Sequence, residues 1–285
     1  MRVRAFAKIN LSLRVLGTRA DSYHELRTIF QSIALHDTLT IRAIRGPFRL
    51  TCDDPACPAD ETNLIARAAA RMWKAAGRRG APRDVAIDVR KRIPMQAGLG
   101  GGSSDACATL RALARRWRVG EARVRAAASA LGADVPYFLE GGRVLGLERG
   151  DLLFPLADPP SAWVVLVLPN FGVSTKDAFG WCDGAAAKEE VRRRDDARTG
   201  PDEELVNDLE APVIARHPEI GRIISALGRQ GASPAAMSGS GSAVFGLFSS
   251  RTAAARAAKR LASASRRTLL TRTLNRQTYQ TLAAT

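Results

Sequence analysis

Long apolar runs are missing from this chain of 285 residues. The longest ones, such as Trp163 to Leu168, hold six to eight residues, whereas a helix needs about 20 apolar residues to cross a bilayer. Near the N-terminus, Lys8 and Asn10 interrupt the apolar stretch that a signal peptide requires. We therefore expect a cytoplasmic protein with no membrane partner.

Cysteine is scarce as well, since the chain has only Cys52, Cys57, Cys107 and Cys182. No two of them form a CxxC pair, and no histidine or cysteine cluster lies near the first two. Disulfide frameworks and zinc sites both need denser patterns than this. We expect ordinary reduced thiols and no resident metal ion.

Acidic residues are few relative to basic ones, with 28 Asp and Glu against 43 Lys and Arg and a net charge of +15. Residues 251–285 carry eight of the basic residues and no acidic one, about half of the excess. Such a charge suits a nucleic-acid binder or an enzyme whose substrates carry several phosphates. Because no basic stripe is interleaved with aromatic residues, we expect no nucleic-acid partner, although the C-terminal tail is the best place for one.

Periodicity predicts a mixture of strands and helices. The predicted strands are residues 3–16, 37–44 and 84–93, a hairpin at 143–156, then 163–168 and 237–248. The predicted helices are residues 62–77, 103–118, 121–131, 205–216 and 218–229, with a last helix from Thr252. The charged stretch 185–204 has low hydrophobicity and predicts a mobile loop.

The order of these elements predicts an α+β fold in two domains, because no regular βαβ repeat is present. The segment Asp158-Pro159-Pro160-Ser161 precedes a continuous apolar strand and marks the expected boundary. We therefore expect an N-terminal domain at residues 1–158 and a C-terminal domain, with the basic tail, at residues 159–285.

A glycine-rich loop is the most informative segment. It lies between the predicted strand ending at Ile93 and the predicted helix beginning near Ser103, and its residues are Pro94, Met95, Gln96, Ala97, Gly98, Leu99, Gly100, Gly101, Gly102, Ser103 and Ser104. Glycines let a backbone approach a ligand closely, and the N-terminus of the following helix attracts anions. Ser103 and Ser104 could cap that helix or bind phosphate oxygens and magnesium-bound water.

Two common phosphate-binding motifs do not fit this loop. A Walker A loop needs a lysine that this segment lacks, and a dinucleotide-binding fingerprint starting at Gly98 needs glycine at position 103, where serine stands. The segment PMQAGLGGGSSDA instead resembles the phosphate-binding motif of the GHMP kinases. AKINLSLRVLG near the N-terminus resembles the first motif of that family, and MSGSGSAVFGLF at residues 237–248 resembles the third.

Within this superfamily, further segments resemble the diphosphocytidyl-methylerythritol kinases of isoprenoid precursor synthesis. These segments are RADSYHEL at 19–26, ETNLI at 61–65, GADVPYFL at 132–139, PNFGVSTKDAF at 169–179 and NDLEAPVI at 207–214. This chain has Ser22 where the family pattern has glycine, Gln96 where it usually has a small residue, and Cys107 where alanine is common. A positive φ at Ser22 would cost on the order of 1 kcal/mol.

The resemblance implies a two-domain GHMP kinase fold, in which the N-terminal domain is similar to a domain of a small ribosomal protein and the C-terminal domain is ferredoxin-like. It also implies that Mg²⁺ and ATP are used, that the substrate cleft lies between the domains, and that the chain is a monomer or a weak homodimer. Asp134 is expected to accept the proton of the substrate hydroxyl, and Lys8 is expected to hydrogen-bond both Asp134 and that hydroxyl.

The resemblance also places binding residues. In addition to the loop, Asn63 and Lys91 are expected near the adenine, although Asn63 could equally be a helix cap. The residues expected to contact the acceptor substrate are Asn10, Tyr23, His24, Thr175, Gly239 and Ser240. In the resembled family, the residues at the positions of Tyr23 and His24 face the cytosine, the tyrosine by stacking and the histidine by hydrogen bonds. Phe171 or Phe179 could close the other face of the base, and the sequence does not decide between them. Gly239 and its neighbours could also form only a tight turn before a strand.

The expected reaction is transfer of the γ-phosphoryl group of ATP to the 2-hydroxyl of 4-diphosphocytidyl-2-C-methyl-D-erythritol. One alternative is a GHMP kinase for another alcohol, such as homoserine or a mevalonate relative. A second alternative is a non-catalytic binder of RNA or membrane surfaces that uses the basic tail, in which case truncation after about residue 250 should abolish a strongly salt-dependent activity.

Replacing Tyr23→Ala separates the two kinase hypotheses. A cytidine-containing substrate predicts a sharp rise in its KM, because the tyrosine ring is expected to stack on the base. Another alcohol predicts little change. Steady-state kinetics at saturating ATP measure this difference. An unchanged KM for the cytidyl substrate would show that Tyr23 does not contribute to binding that substrate.

Overall fold

The computed structural model of the protein describes residues 1–189 and 206–284, with residues 185–189 described by their backbone alone. Two sheets organise these residues. The larger sheet contains β1 (Arg2–Thr18), β2 (His24–Pro47), β3 (Arg49–Cys52), β4 (Arg83–Arg90), β5 (Arg143–Glu148) and β6 (Leu152–Pro155). The helices of this half are α1 (Leu64–Ala75), α2 (Gly101–Trp117), α3 (Glu121–Ser129) and α4 (Tyr137–Glu140).

The long strand β2 organises the larger sheet. It pairs with β1 along most of its length, with β4 through its second half and with β5 through its first half. All these pairings are antiparallel, and β3 adds to β4 in parallel. Apolar residues of α1 and α2 pack with the sheet in one buried cluster, which explains why both helices have a continuous apolar face.

The smaller sheet contains β7 (Trp163–Pro169), β8 (Ala235–Met237), β9 (Val244–Phe248) and β10 (Arg266–Arg272) in the antiparallel order β10-β7-β9-β8. Its half of the chain also contains α5 (Thr175–Glu189), α6 (Glu210–Arg216), α7 (Pro218–Arg229), α8 (Arg251–Leu261) and α9 (Arg276–Ala284). This strand order and the sequence of strands and helices are those of a ferredoxin-like unit.

Strand β7 is buried on both faces, as its unbroken apolar sequence indicates. Val165 and Val167 belong to a cluster with the helices of the smaller sheet. Val164 and Leu166 belong to a second cluster, which also contains Ile9 and other residues of the larger sheet. The two halves of the molecule are therefore joined by an apolar core.

Several predicted elements are confirmed, including the strand at residues 3–16, the hairpin at 143–156 and the helix that Asn63 opens. Asn63 Oδ1 accepts a hydrogen bond from the backbone N–H of Ile65 at 2.9 Å, so it does cap α1. The positive φ considered for Ser22 is also present, at 66°. The α+β class is confirmed by the two sheets and their helices.

Other predictions need correction. The predicted strand 237–248 is two strands, β8 and β9, because residues 238–243 form a turn between them. The predicted helix 205–216 begins only at Glu210. The predicted loop 185–204 is helical as far as Glu189, and its part beyond residue 189 lies outside the described residues. The helix near Thr252 is not the last element, since β10 and α9 follow it.

The four cysteines form no disulfide in the structure. Within residues 1–189 and 206–284, no helix is long and apolar enough to cross a membrane.

Candidate active site

The glycine-rich loop adopts a backbone conformation that requires glycine at two points. Gly98 and Gly100 both have φ of 71°, a region that other residues rarely adopt. Helix α2 begins directly afterwards, and its N-cap is Gly100 with no side-chain hydrogen bond. The free N–H groups of this helix end lie beside the cleft, where they can bind an anion.

The serines of the loop do not cap the helix, which corrects one of the two predicted roles. Ser104 is buried, and its Oγ donates a hydrogen bond to the carbonyl of Phe6 at 2.7 Å. It therefore ties α2 to strand β1. Ser103 lines the cleft and is partly exposed.

The three predicted motifs meet at this loop through contacts too close for side chains. A Cβ atom on Gly98 would lie 2.0 Å from the carbonyl oxygen of Ser238. A Cβ atom on Gly100 would lie 3.2 Å from the Lys8 side chain and 2.8 Å from the Phe138 ring. A Cβ atom on Gly239 would lie 2.9 Å from Asn10 Oδ1. Glycine at position 98 lets the backbones of the two halves touch. Glycine at positions 100 and 239 leaves room for the side chains that pack against the two turns.

Lys8 occupies the centre of this contact and is 4% exposed. Its Nζ donates hydrogen bonds to Asn10 Oδ1 at 2.5 Å and to the Gly98 carbonyl at 3.0 Å. The same atom lies 3.6 Å from Asp134 Oδ2. Burial lowers the pKa of Lys8, although the attraction of Asp134 opposes that effect.

Asp134 is the partly open member of this pair, with a side chain that is 37% exposed. It lies in the turn before α4, and it lines the same cleft as Lys8. The structure therefore brings the two predicted catalytic residues together, at a distance where a hydroxyl group could bind both.

Asn10 is also placed beside Lys8. It is 3% exposed, and its Nδ2 donates a hydrogen bond to Thr28 Oγ1 at 2.7 Å. Its backbone N–H donates to Ser238 Oγ at 3.2 Å. Because both ends of its side chain already have partners, Asn10 orients Lys8, and its contact with substrate stays a prediction.

Lys91 is held in a buried cluster of charges beneath the loop. Its Nζ donates to Asp37 Oδ2 at 2.5 Å and to Asp105 Oδ2 at 2.7 Å, and its side chain is 5% exposed. Burial alone would lower the pKa of Lys91, but the attraction of Asp105 and Asp37 outweighs it and raises that pKa. Burial raises the pKa of Asp105.

This cluster fixes the start of α2 to the larger sheet. A Cβ atom on Gly101 would lie 3.5 Å from Lys91 Nζ, so the ammonium group lies directly below the loop. Both Lys91 and Asn63 line the cleft, as the resemblance implies. Their contact with adenine stays a prediction, since each side chain already has structural partners.

The opposite end of the cleft is aromatic. Tyr23 is 54% exposed, with the Arg149 guanidinium 5.2 Å from its ring centroid. The His24 ring stacks on Phe179 with centroids 4.5 Å apart, and its Nε2 lies 2.9 Å from Asp183 Oδ1. This end can hold a flat heterocycle that also offers hydrogen bonds.

The structure distinguishes between the two phenylalanines. Phe179 lines the cleft, whereas Phe171 stacks on His217 with centroids 4.6 Å apart. At the rim nearest the phosphate loop, Thr175 Oγ1 and Ser240 Oγ lie 3.1 Å apart. Apart from Ser104 and Phe171, all the predicted site residues line one cavity of about 1090 Å³, which exceeds the usual size of a single-ligand pocket.

Sequence reasoning missed several residues of the site. The residues not predicted are Asp37, Asp105, Phe138, Arg149 and Asp183. Asp105 could have been found as a carboxylate one position after the loop. Asp37 is 54 positions from Lys91, and no spacing in the sequence connects the two.

Comparison with known proteins identifies the family. Residues 63–142 match the family described as GHMP kinases N terminal domain, and residues 187–266 match GHMP kinases C terminal. The chain is 42% identical, over 95% of its length and 98% of the relative's, to a 4-diphosphocytidyl-2-C-methyl-D-erythritol kinase of Moorella thermoacetica. It is 44% identical to the enzyme of the same name of Anaeromyxobacter dehalogenans, over 88% of this chain and 82% of the relative's.

Solved structures agree with these relatives. A crystal structure of 4-(cytidine 5'-diphospho)-2C-methyl-D-erythritol kinase superposes with a TM-score of 0.78 and 35% identity, covering 96% of this chain and 99% of that one. A mevalonate kinase structure superposes with a TM-score of 0.69 at 14% identity, over 96% of this chain and 99% of that one, and shows the fold alone.

The chain belongs to the GHMP kinases and, within them, to the family of 4-diphosphocytidyl-2-C-methyl-D-erythritol kinases. It is an ATP-dependent small-molecule kinase, and the predicted two-domain GHMP fold is confirmed. A non-catalytic role built on the basic tail is therefore wrong as the main function.

Substitution of two loop glycines tests the close contact between the motifs. We expect Gly98→Ala to lower the free energy of unfolding by about 3 kcal/mol or more, because the added methyl group meets the Ser238 carbonyl and the positive φ disfavours alanine. Gly102→Ala is the matched control, since its Cβ would lie 3.9 Å from Leu64 and alanine favours a helix. Urea denaturation measures both, and equal losses in the two variants would contradict this account of Gly98.

Proposed function

We propose that this chain transfers the γ-phosphoryl group of ATP to the 2-hydroxyl of 4-diphosphocytidyl-2-C-methyl-D-erythritol. The observation that carries the proposal is that one cleft contains a phosphate loop, the Lys8–Asp134 pair and an aromatic end at His24. The similarity to 4-diphosphocytidyl-2-C-methyl-D-erythritol kinases supports this choice of substrate.

The chemistry is an in-line displacement at phosphorus. The substrate hydroxyl oxygen forms a bond to the γ-phosphorus, and the bond to the bridging oxygen breaks, so that ADP leaves with that electron pair. Asp134 accepts the hydroxyl proton, which is consistent with its open position in the cleft. Lys8 hydrogen-bonds the same oxygen and balances the charge that develops on the transferring group.

The loop stabilises the phosphates mainly through its backbone. N–H groups at the start of α2 and the positive end of the helix dipole face the anion. No lysine belongs to the loop itself, and the buried Lys91 lies beneath it. Preorganised donors of this kind act strongly where water is excluded.

Mg²⁺ enters with ATP as part of the co-substrate in this proposal. Within residues 1–189 and 206–284, no group of three His, Cys, Asp or Glu residues could hold a metal ion alone. The phosphate oxygens would therefore supply most of its ligands, with Ser103 as the nearby side chain in the loop. The ion would neutralise charge on the β- and γ-phosphates.

The aromatic end selects the acceptor. A cytosine ring between Tyr23 and Phe179 would stack on both, and His24 would hydrogen-bond its polar edge. Asp183 holds His24 in place through a hydrogen bond with the Nε2 atom of His24. The hydrogen-bonding edge of a base thus has a built partner, which a site for a small amino alcohol would not need.

ADP release across a panel of acceptors tests the reaction. With Mg·ATP we expect turnover on the cytidyl substrate and none on homoserine, mevalonate or galactose. Asp134→Asn should reduce kcat by about 100-fold or more, since it removes the proton acceptor. Asp88→Asn, a surface carboxylate paired with Arg42, is the matched control and should retain full activity.

Turnover on another alcohol would support the proposed active site but contradict the proposed acceptor substrate. Absence of turnover on the whole panel by folded protein that binds ATP would overturn the proposed reaction.

The pH dependence of kcat tests Lys8. The ammonium form is the one that balances charge, and burial lowers the pKa of Lys8 below its ordinary value of 10.5. As pH rises through this lowered pKa the charge is lost, so kcat should fall at a pH below 10.5. In Lys8→Arg the guanidinium stays protonated, so the residual activity should show no such fall. An alkaline limb at the same pH in both proteins would assign it to another group.

A further inference from the structure

The end of the chain crosses back from the smaller sheet to the larger one. We call residues 273–284 the C-terminal clasp. Thr273 bridges to Ile33, and the Leu274 N–H donates to the Ser32 carbonyl at 2.8 Å. Gln31 Nε2 donates to the Leu274 carbonyl at 2.8 Å. The clasp is therefore bonded into strand β2 before α9 begins.

Tyr279 is the buried anchor of the clasp, at 3% exposure. Its Oη donates a hydrogen bond to the Phe138 carbonyl at 2.7 Å. Its ring packs on Phe6 with centroids 5.6 Å apart. A Cβ atom on Gly141 would lie 2.0 Å from this ring, and Gly141 has φ of 66°. The glycine thus makes room for the tyrosine against the backbone.

The neighbouring glycine is matched to the clasp in the same way. A Cβ atom on Gly142 would lie 2.8 Å from the backbone nitrogen and Cβ of Arg276. The Arg276 backbone N–H donates to Asp158 Oδ2 at 2.8 Å, while Asp158 Oδ1 accepts from the Arg143 N–H at 2.9 Å. At both of the adjacent glycines that follow α4, a side chain would therefore clash with residues of the last helix.

Two of the residues that Tyr279 contacts, Phe138 and Phe6, connect it to both Asp134 and Lys8. Phe138 belongs to α4, and its N–H donates to the Val135 carbonyl in the turn that carries Asp134. The Phe138 ring also faces Gly100 of the phosphate loop, beside the Lys8 side chain. Phe6 lies two residues before Lys8 in β1, and its carbonyl accepts the Ser104 hydroxyl.

The same network reaches Lys8 from the opposite strand. Lys8 lies opposite Ser32 in the pairing of β1 with β2. Ser32 Oγ is 2.7 Å from Tyr137 Oη and accepts from the Gly142 N–H at 3.0 Å. Ser32 is thus hydrogen-bonded to the clasp through its carbonyl and to α4 through its hydroxyl.

We propose that Tyr279 is a positioning residue for phosphoryl transfer, which holds α4 and the Asp134 turn in register with Lys8 and the phosphate loop. This inference rests on the proposed function of the cleft. Tyr279 does not line the cleft. It acts through Phe138, because a hydrogen bond to one carbonyl of a single-turn helix limits how far that turn can shift.

Tyr279→Phe tests the proposal with the least disturbance, since it removes the hydroxyl and keeps the ring. We expect kcat for the cytidyl substrate to fall about tenfold, because small displacements of reacting groups cost large factors in rate. KM for ATP should stay within about twofold, because the loop backbone that binds phosphate is retained. Gln277→Ala, on the exposed face of α9, is the matched control and should match the wild-type protein.

Hydrogen–deuterium exchange of the full chain supplies a readout independent of turnover. In Tyr279→Phe, exchange should increase in residues 134–141 and remain unchanged in α7, which is remote from the clasp. A wild-type kcat in Tyr279→Phe, or a fall in kcat that Gln277→Ala shares, would overturn the proposal. So would a change confined to KM for ATP.

The outcomes also separate this inference from the proposed function. Normal turnover by the wild-type protein with an unaffected Tyr279→Phe variant overturns the positioning role alone. Absence of turnover by the wild-type protein overturns the proposed reaction, and the positioning role with it, even if exchange at residues 134–141 responds to the variant.

Discussion

The two glycine-rich turns lie against each other with no room for a side chain, and the rest of the active site depends on this backbone contact. Gly98 meets the Ser238 carbonyl, and Gly239 meets Asn10 beside Lys8. Each turn comes from a different half of the chain, so the cleft exists only when the halves are joined. The apolar cluster that includes Ile9 and Val164 provides that junction, and the glycines allow it to close fully.

Burying an ammonium group at the junction is costly unless its charge is balanced. Lys8 has the carbonyl of Gly98 and the amide oxygen of Asn10, but its carboxylate partner Asp134 is 3.6 Å away and partly open to the cleft. Its partners therefore neutralise the Lys8 ammonium group only in part. In the proposed reaction, the phosphoryl group would supply the missing negative charge. Lys91 is the opposite case, because two carboxylates hold it and it serves to fix the loop.

The basic tail has a structural place that its composition did not reveal. Strand β10 completes the smaller sheet, and α9 packs on Phe6 through Tyr279. Some of its arginines donate hydrogen bonds to backbone carbonyls, as Arg276 does to those of Arg143 and Leu156. The charge excess that suggested a separate binding surface thus belongs in part to an element that closes the fold.

Local patterns in the sequence determined the strands with period two, the helix that Asn63 caps and the glycine loop, because each depends on residues close together in the chain. Motif order also indicated the family and the pairing of Lys8 with Asp134. Only the tertiary structure decided that Asp37 and Asp105 share Lys91, that Phe179 and not Phe171 faces the cleft, and that the last helix supports α4. These contacts join residues that are distant in sequence, and they form only when the two sheets pack together.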